Sequence, residues 1–260
     1  MKYYLVSFDC ESTGLSTYQD QIVEFGAAIA LWDAMTGEMV DLAPFAKQAK
    51  PTEKVMGRRA EEITGITMDS LQDKPPIRSV LDAFMVHLDT ICEEGTPRLL
   101  LSYNGFSYDI PLMVAEILRY GGCPVTYFRQ LKMENTIDIL PFGRSCLDTS
   151  TLLRKANGTC SYRLGDVYQA VCKCPLQNAH GALADSNAVL SILRAPDICT
   201  AFQETVSGTV ESTHRKNPMV LVRAIMARIT KRTAAPSKTG SKRVLDMVCA
   251  HVSKKKRIRT

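Results

Sequence analysis

Long apolar runs and low-complexity tracts are absent from this 260-residue sequence, and tryptophan occurs only once. No stretch of about 18 uncharged apolar residues exists, so the sequence predicts no membrane-spanning helix. A signal peptide is not expected, because Asp9 interrupts the first apolar run before a hydrophobic region can form. With 45% apolar and 23% charged residues, the composition is typical of a globular domain that buries a full core.

The cysteines do not suggest a disulfide framework, since the nine of them are odd in number and scattered along the chain. A chain of this length does not need disulfides to be stable. Without an export signal, the thiols are predicted to be reduced and the protein to be intracellular. A zinc site built from Cys160, Cys172, Cys174 and His180 is a competing interpretation, although the Cys-x-Cys spacing is atypical of structural zinc.

Acidic residues are nearly missing from the last 30 positions. Residues 231–260 contain ten Lys or Arg and one acid, a net charge of +9, whereas residues 1–230 carry about −4. The charge predicts a basic, flexible tail over residues 231–260. The weaker hydrophobic pattern beyond about residue 205 predicts one main domain over residues 1–205 and a short helical extension over residues 206–230. The tail ends in "SKKKRIRT", which is a candidate nuclear-import signal or nucleic-acid clamp, with a solvated end as the alternative. The expected location is the nucleus, the cytoplasm or both.

The order of the predicted elements favours an α/β fold. Strands come first, as "YYLVS" and "IVEFGAAIALWDA", with a hairpin turn expected around Thr36 and Gly37. Helices and strands then alternate, beginning with the amphipathic helix "IRSVLDAFMVHLDTICEE" and the apolar strand "PRLLLSYN". This order predicts a mixed sheet that is covered by helices on both faces.

Two acids stand at the end of the first predicted strand, in the sequence "FDCESTG". Side chains alternate along a strand, so Asp9 and Glu11 point to the same face, about 6 to 7 Å apart. Two anions this close on a half-buried surface repel each other unless a cation lies between them. Mg²⁺ prefers carboxylate oxygens, so the pair predicts a metal site. The alternative is a strand that ends in a solvated acidic turn.

Two further acids lie among apolar residues. Asp109 stands where a buried strand is followed by a helix, and Asp185 lies in a helix of small and apolar residues. Ligands of α/β proteins gather where strands end and helices begin, so both acids are expected to converge on the first pair. His180 precedes Asp185 by five residues in a glycine-flanked loop, where it could accept a proton from water. The alternative for His180 is a surface loop histidine.

These segments resemble the three motifs of the DEDDh 3′→5′ exonucleases, in the same order. The motifs are "FDCESTG", "SYNGFSYDIPLM" and "HGALADSNAVL", and the segments "EEITGIT" and "SYRLGDVY" are similar to the three-prime repair exonuclease branch. The resemblance covers residues 3–195. It implies an RNase H-like fold, with a mixed five-stranded sheet flanked by helices on both faces.

The resemblance also implies the chemistry. Asp9, Glu11, Asp109 and Asp185 would hold two Mg²⁺ ions, which Mn²⁺ can replace, and His180 would act as the general base. The implied activity is the release of nucleoside 5′-monophosphates from DNA 3′ ends, in single strands or frayed duplexes.

A nucleotide pocket is implied by the same resemblance. Its residues would be Gly14, Leu15, Ile63, Asn104 and Tyr108. Plain core packing is the alternative for the two aliphatic residues of this set. Many relatives carry a histidine before the asparagine of the second motif, and this chain has a tyrosine there, which is expected to change contacts in the pocket.

Three other functions remain open on the sequence alone. They are an RNA-trimming exoribonuclease of the same fold, a catalytically inactive nucleic-acid-binding module and a proofreading subunit that works beside a polymerase. The expected partner is DNA with single-stranded 3′ ends. RNA, a second copy of the chain and a replication or polymerase partner are further candidates, and no membrane partner is expected.

Overall fold

A computed structural model describes residues 1–209 and 213–234. The predicted basic tail therefore lies outside the described residues from residue 235 onward. The strands of the described residues are β1 (Lys2–Ser12), β2 (Ile22–Asp33), β3 (Met39–Asp41), β4 (Phe45–Gln48), β5 (Arg98–Ser102), β6 (Met133–Asp138) and β7 (Arg215–Lys216). Their helices are α1 (Arg58–Thr64), α2 (Ile77–Ile91), α3 (Asp109–Arg119), α4 (Pro124–Gln130), α5 (Leu140–Cys146), α6 (Leu164–Cys172), α7 (Ala182–Leu193), α8 (Pro196–Ser207) and α9 (Pro218–Ala234).

All of these strands belong to one mixed sheet with the order β3-β2-β1-β5-β6-β7, and β4 also pairs with β2. The long first strand pairs with β2 in antiparallel orientation on one side and with β5 in parallel orientation on the other. Because β5 and β6 are also parallel, the carboxyl ends of β1, β5 and β6 meet at one edge of the sheet. This is the edge where ligands bind in open α/β sheets.

Helices pack on both faces of the sheet, as the sequence predicts. One apolar core joins the sheet to α2, α3, α4 and α9, and a second joins it to α6, α7 and α8. The only tryptophan of the chain, Trp32, is buried in the second core, where its ring lies 5.0 Å from that of Phe202 in α8. The predicted α/β class is confirmed.

The number of strands differs from the prediction. The resemblance implies five strands, whereas the described residues form seven. The extra pairings involve very short edge strands, since β3 has three residues and β7 has two. Strands of this length carry too few residues to show a period-2 pattern. The predicted hairpin is present, and Gly37 has the positive φ of 77° that its turn requires.

The segment after residue 205 shares the core of the preceding residues. Helix α9 buries the side chains of Leu221, Val222, Ile225 and Ile229 in the same core as β1 and α3. Pro218 begins this helix at a position where a missing backbone N–H costs nothing. Within the described parts of the chain, no helix has the length and apolar character that crossing a membrane requires.

Candidate active site

Three carboxylates meet where β1 approaches the first turn of α7. One oxygen from each of Asp9, Glu11 and Asp185 lies within 4.8 Å of the other two. The first two lie on the same face of β1, and the third is in the first turn of α7. In the described residues, this is the one group of three or more His, Cys, Asp or Glu side chains with such spacing. The cysteines of the competing zinc interpretation therefore do not form such a group.

Asp109 adds a fourth carboxylate beside this cluster. It is the first residue of α3 and is only 4% exposed. The backbone amides of Asp109 itself and of Cys10 in β1 act to lower the pKa of this carboxyl group, which lies next to β1. Asp109 is also the strongest charged neighbour of Asp9. The structure thus places all four predicted acids in one region.

Burial and mutual repulsion raise the pKa values of these acids. Desolvation, followed by the charge of Asp109, raises the pKa of Asp9 well above its ordinary value. Desolvation and then the charge of Asp185 raise the pKa of Glu11 to about 8. The pKa of Asp109 is raised to about 7 and that of Asp185 is also raised, in both cases chiefly by desolvation. So much uncompensated negative charge fits a site for divalent cations, whose preferred ligands are carboxylate oxygens.

Stability of the metal-free protein should therefore depend on pH in a defined direction. Between pH 5 and pH 8, the folded cluster retains protons that the unfolded chain has released, so stability falls as pH rises. A divalent cation removes this penalty. At a Mg²⁺ concentration of 100 times Kd, binding adds about 2.7 kcal/mol to the free energy of unfolding. We therefore expect the melting temperature to rise by about 5 to 10 °C at pH 8.

The measurement is calorimetry in EDTA and in Mg²⁺ at pH 6 and pH 8. The shift should be clearly smaller at pH 6, because the cation must then displace more protons. Glu94→Gln, at an exposed position before β5 on the opposite edge of the sheet, is the control and should retain the wild-type shifts. Equal shifts at the two pH values would contradict the assigned pKa directions.

Close approach of β2 to α7 brings Asp185 to the cluster. Gly26 pairs with Asp9 across the β1–β2 ladder, and a Cβ atom on Gly26 would lie 2.4 Å from the backbone of Ala182 and Leu183. The side chain of Glu24 secures the contact, since its Oε2 accepts a 2.9 Å hydrogen bond from the Ala182 amide. Neither Glu24 nor Gly26 was predicted from the sequence. An acid and a glycine inside an otherwise apolar strand were the available signal.

Gly26→Ala should therefore damage activity without touching any catalytic group. The added methyl group must push α7 away from β2, which moves Asp185 relative to Asp9. A displacement of about 1 Å can cost about 100-fold in rate, so we expect kcat/KM to fall 10- to 100-fold. The matched control is Gly165→Ala, because a Cβ atom at that helical position meets nothing within 4 Å. Activity that is equal in the two variants would refute the role of the close contact.

His180 lies beside the acids on an exposed loop. Its backbone amide points to Asp185, with a distance of 3.4 Å from nitrogen to Oδ1, and its side chain is open to solvent. The residue has a φ of 67°, in the left-handed region that few non-glycine residues adopt. This turn brings the ring to the beginning of α7, next to Asp185.

The predicted pocket residues lie along the same edge. Tyr108 and Ser12 both hydrogen-bond the carbonyl oxygen of Gly14, at 2.7 and 2.6 Å, which fixes the loop after β1. Leu15 is 85% exposed and Ile63 is 43% exposed. These exposures exclude core packing for both aliphatic residues and leave them free to contact a ligand.

Asn104 and Tyr103 have different roles in the loop after β5. Asn104 adopts a φ of 61°, and its amide donates a 2.8 Å hydrogen bond to Oδ1 of Asp138. The same oxygen accepts a second hydrogen bond from the Leu140 amide. The hydroxyl of Tyr103 donates to the Tyr162 carbonyl oxygen at 2.9 Å, and its ring packs in the second core. Tyr103 thus secures the segment before α6. Asp138, which anchors the Asn104 turn, was not predicted from the sequence.

Comparison with known proteins agrees with this geometry. The model of a family described as "Exonuclease" (RNase T) matches residues 6–193. The chain belongs to the exonuclease family. The predicted recognition as a DEDDh-type 3′→5′ exonuclease is confirmed, and with it the class of phosphodiester hydrolase. Like its family, the exonuclease uses divalent metal ions, and the acidic cluster supplies the ligands that such ions require.

Individual relatives cover different shares of the exonuclease. Human three prime repair exonuclease 2 is 25% identical over 231 residues, which is 78% of this chain and 88% of that protein. The PolC-type DNA polymerase III of Thermotoga maritima is 36% identical over 187 residues, which is 72% of this chain but 11% of the polymerase. The structure of Escherichia coli exonuclease I in complex with a dT13 oligonucleotide superposes with a TM-score of 0.61 at 20% identity. That match covers 77% of this chain and 42% of exonuclease I, and it shows a common fold.

Proposed function

We propose that this exonuclease removes nucleoside 5′-monophosphates from the 3′ ends of single-stranded or frayed DNA, with Mg²⁺ as the physiological ion. The observation that carries the proposal is the convergence of Asp9, Glu11 and Asp185, with Asp109 beside them, at the carboxyl edge of the sheet. Human three prime repair exonuclease 2 by its name, and exonuclease I by its complex with dT13, support a DNA 3′ end as the substrate.

Each side chain of the site has a distinct role in this proposal. The four acids would hold the divalent ions, which would supply activation of water and offset the negative charge of the scissile phosphate. The exposed His180 ring accepts a proton as water attacks phosphorus. The bond from phosphorus to the 3′ oxygen of the preceding nucleotide breaks, and this oxygen takes up a proton from solvent. The shortened strand keeps a 3′ hydroxyl, and the released nucleotide keeps its 5′ phosphate.

The pocket residues hold the terminal nucleotide. Leu15 and Ile63 present exposed apolar surfaces to a base, and every base has a face that can stack on such groups. Such contacts do not read hydrogen-bonding edges of the base, so the enzyme should digest strands with little sequence preference. The carbonyl oxygen of Gly14 is occupied by Tyr108 and Ser12, which makes this part of the pocket rigid before a ligand arrives.

The test is digestion of matched DNA and RNA strands of one sequence, with the products identified by chromatography. Nucleoside 5′-monophosphates that accumulate at least tenfold faster from DNA would support the proposal. Faster release from RNA would favour the exoribonuclease alternative. Retention of both strands without any product would identify a nucleic-acid-binding module and refute the proposal.

The role of the basic tail is proposed from its sequence alone. We propose that residues 231–260 carry a nuclear-import signal, on the strength of the run "SKKKRIRT". Fusion of this segment to a fluorescent protein tests the idea. Accumulation of the fusion in the nucleus would support it, and an even distribution through the cell would refute it.

A further inference from the structure

A lysine outside the matched family region lies at the active-site edge. Lys216 is in β7, which follows the end of the family match at residue 193, and its ammonium group lies 4.7 Å from the ring centre of Phe106. Phe106 belongs to the loop between Asn104 and Asp109, both of which are site residues. The cation therefore stands over the loop that forms one wall of the nucleotide pocket.

Backbone contacts fix the position of this lysine. Strand β7 pairs with the end of β6, where Lys216 is opposite Thr136. The Asp138 amide also donates a 3.1 Å hydrogen bond to the His214 carbonyl oxygen. The side chain of Asp138 in turn accepts a hydrogen bond from the Asn104 amide. Residues 214–216 are thus connected directly to the active-site loop.

Helix α9 continues from this point with a basic exposed face. Its buried side is apolar. Arg223, Arg228 and Lys231 are exposed and lie within roughly 140° of each other, at 100° per residue, with Arg228 next to the edge of the buried side. None of these three residues, nor Lys216, forms an ion pair with an acid in the described parts of the chain. We call Lys216, Arg223, Arg228 and Lys231 the β7–α9 basic surface.

The charge of this surface contrasts with that of the rest of the domain. Residues 1–213 carry a net charge of −8, whereas residues 214–231 contain five Lys or Arg and no acid. A helix that needs only solubility would carry charges of both signs. A surface that carries only positive charges and starts beside a phosphodiester-cleaving site is complementary to a polyanion.

We propose that the β7–α9 basic surface binds the sugar-phosphate backbone of the strand whose 3′ end lies in the active site. This inference rests on the proposed function for the identity of the strand. Helix α9 has 17 residues and is about 25 Å long, so it can contact several phosphates upstream of the 3′ end. Lys216 would bind nearest to the pocket and the arginines farther from it.

Salt dependence of binding measures such contacts. Each phosphate contact on a single strand contributes a slope of about −0.7 to the plot of log affinity against log salt. Arg223→Gln/Arg228→Gln should therefore flatten the slope by about 1.4. When salt is raised from 50 to 200 mM, the factor by which affinity falls should be about seven times smaller for the variant than for the wild type. Lys216→Gln should flatten the slope by about 0.7, which corresponds to about 2.6-fold over the same range.

The experiment is fluorescence anisotropy with full-length protein and a labelled 20-nucleotide oligo-dT in EDTA, where no turnover occurs. The matched control is Lys2→Gln/Lys132→Gln, which removes two exposed cations from the opposite edge of the sheet, at the first residue of β1 and immediately before β6. Melting temperatures report whether each variant is folded. The control should retain the wild-type slope.

Two results would overturn the inference. The first is a wild-type slope in Arg223→Gln/Arg228→Gln, which would leave the surface to some other ligand, such as an acidic protein. The second is an equal flattening in the control, which would show a general charge effect. Failure of the proposed function is a separate result, since it requires that the wild type does not shorten DNA in Mg²⁺, whatever the slopes are.

Discussion

Asp9→Asn is expected to lower kcat/KM by at least 1,000-fold and, in EDTA at pH 8, to raise the melting temperature. The loss of activity follows because one Asp9 oxygen lies within 4.8 Å of oxygens of Glu11 and Asp185, and the charge of Asp109 also acts on Asp9, so its oxygens are central to the proposed metal site. The gain in stability follows because asparagine cannot be charged. The substitution therefore removes the desolvation cost and the repulsion from Asp109 that raise the pKa of Asp9 well above its ordinary value.

The two opposite effects separate a metal site from ordinary packing. A residue that only stabilises the fold would lower activity and melting temperature together. The measurements are steady-state kinetics in Mg²⁺ and calorimetry in EDTA at pH 8. Glu94→Gln, which also neutralises one acid but at the opposite edge, should change neither quantity. An Asp9→Asn protein that melts lower than the wild type in EDTA would contradict the electrostatic account.

His180→Asn is expected to lower kcat by 100- to 10,000-fold, the range that general acid–base catalysis contributes. Asparagine is chosen because it tolerates the left-handed conformation of this residue, whose φ is 67°. The exposed ring contributes nothing to the core, so the melting temperature should stay within about 1 °C of the wild-type value. Affinity for DNA in EDTA should also be unchanged.

The matched control for this variant lies in the same loop. Asn178 has a φ of 53°, is exposed and is two residues away, so Asn178→Ala perturbs the loop without removing an imidazole. Its kcat should stay within about threefold of the wild-type value. If Asn178→Ala were as inactive as His180→Asn, the loop conformation and not the imidazole would explain the loss.

Local patterns were sufficient to predict the parts of the site that lie on single elements. The alternation of side chains along β1 places Asp9 and Glu11 on one face, and their shared charge requires a cation. A histidine five residues before Asp185 lies just outside the helix that carries the acid. These relations depend on neighbours in the sequence, so a sequence alone can reveal them.

Contacts between distant segments could not be predicted in the same way. Glu24 accepts a hydrogen bond from Ala182, 158 residues later, and Gly26 matters only because α7 packs against it. No pattern in the strand sequence "IVEFGAA" identifies α7 as the helix that packs against it. Strand β7 is two residues long and is defined by its pairing with β6. The basic surface that starts there depends on tertiary packing that no local pattern encodes.

The most direct test of the central claim is a time course with single-stranded DNA labelled at its 5′ end, in Mg²⁺, beside EDTA and Asp185→Asn. The claim is that the four-carboxylate cluster drives metal-dependent removal of nucleotides from the 3′ end. We predict a ladder of labelled strands that shorten one nucleotide at a time in Mg²⁺, and intact strands in both controls. Immediate release of a labelled mononucleotide, or a ladder that persists in Asp185→Asn, would contradict the account.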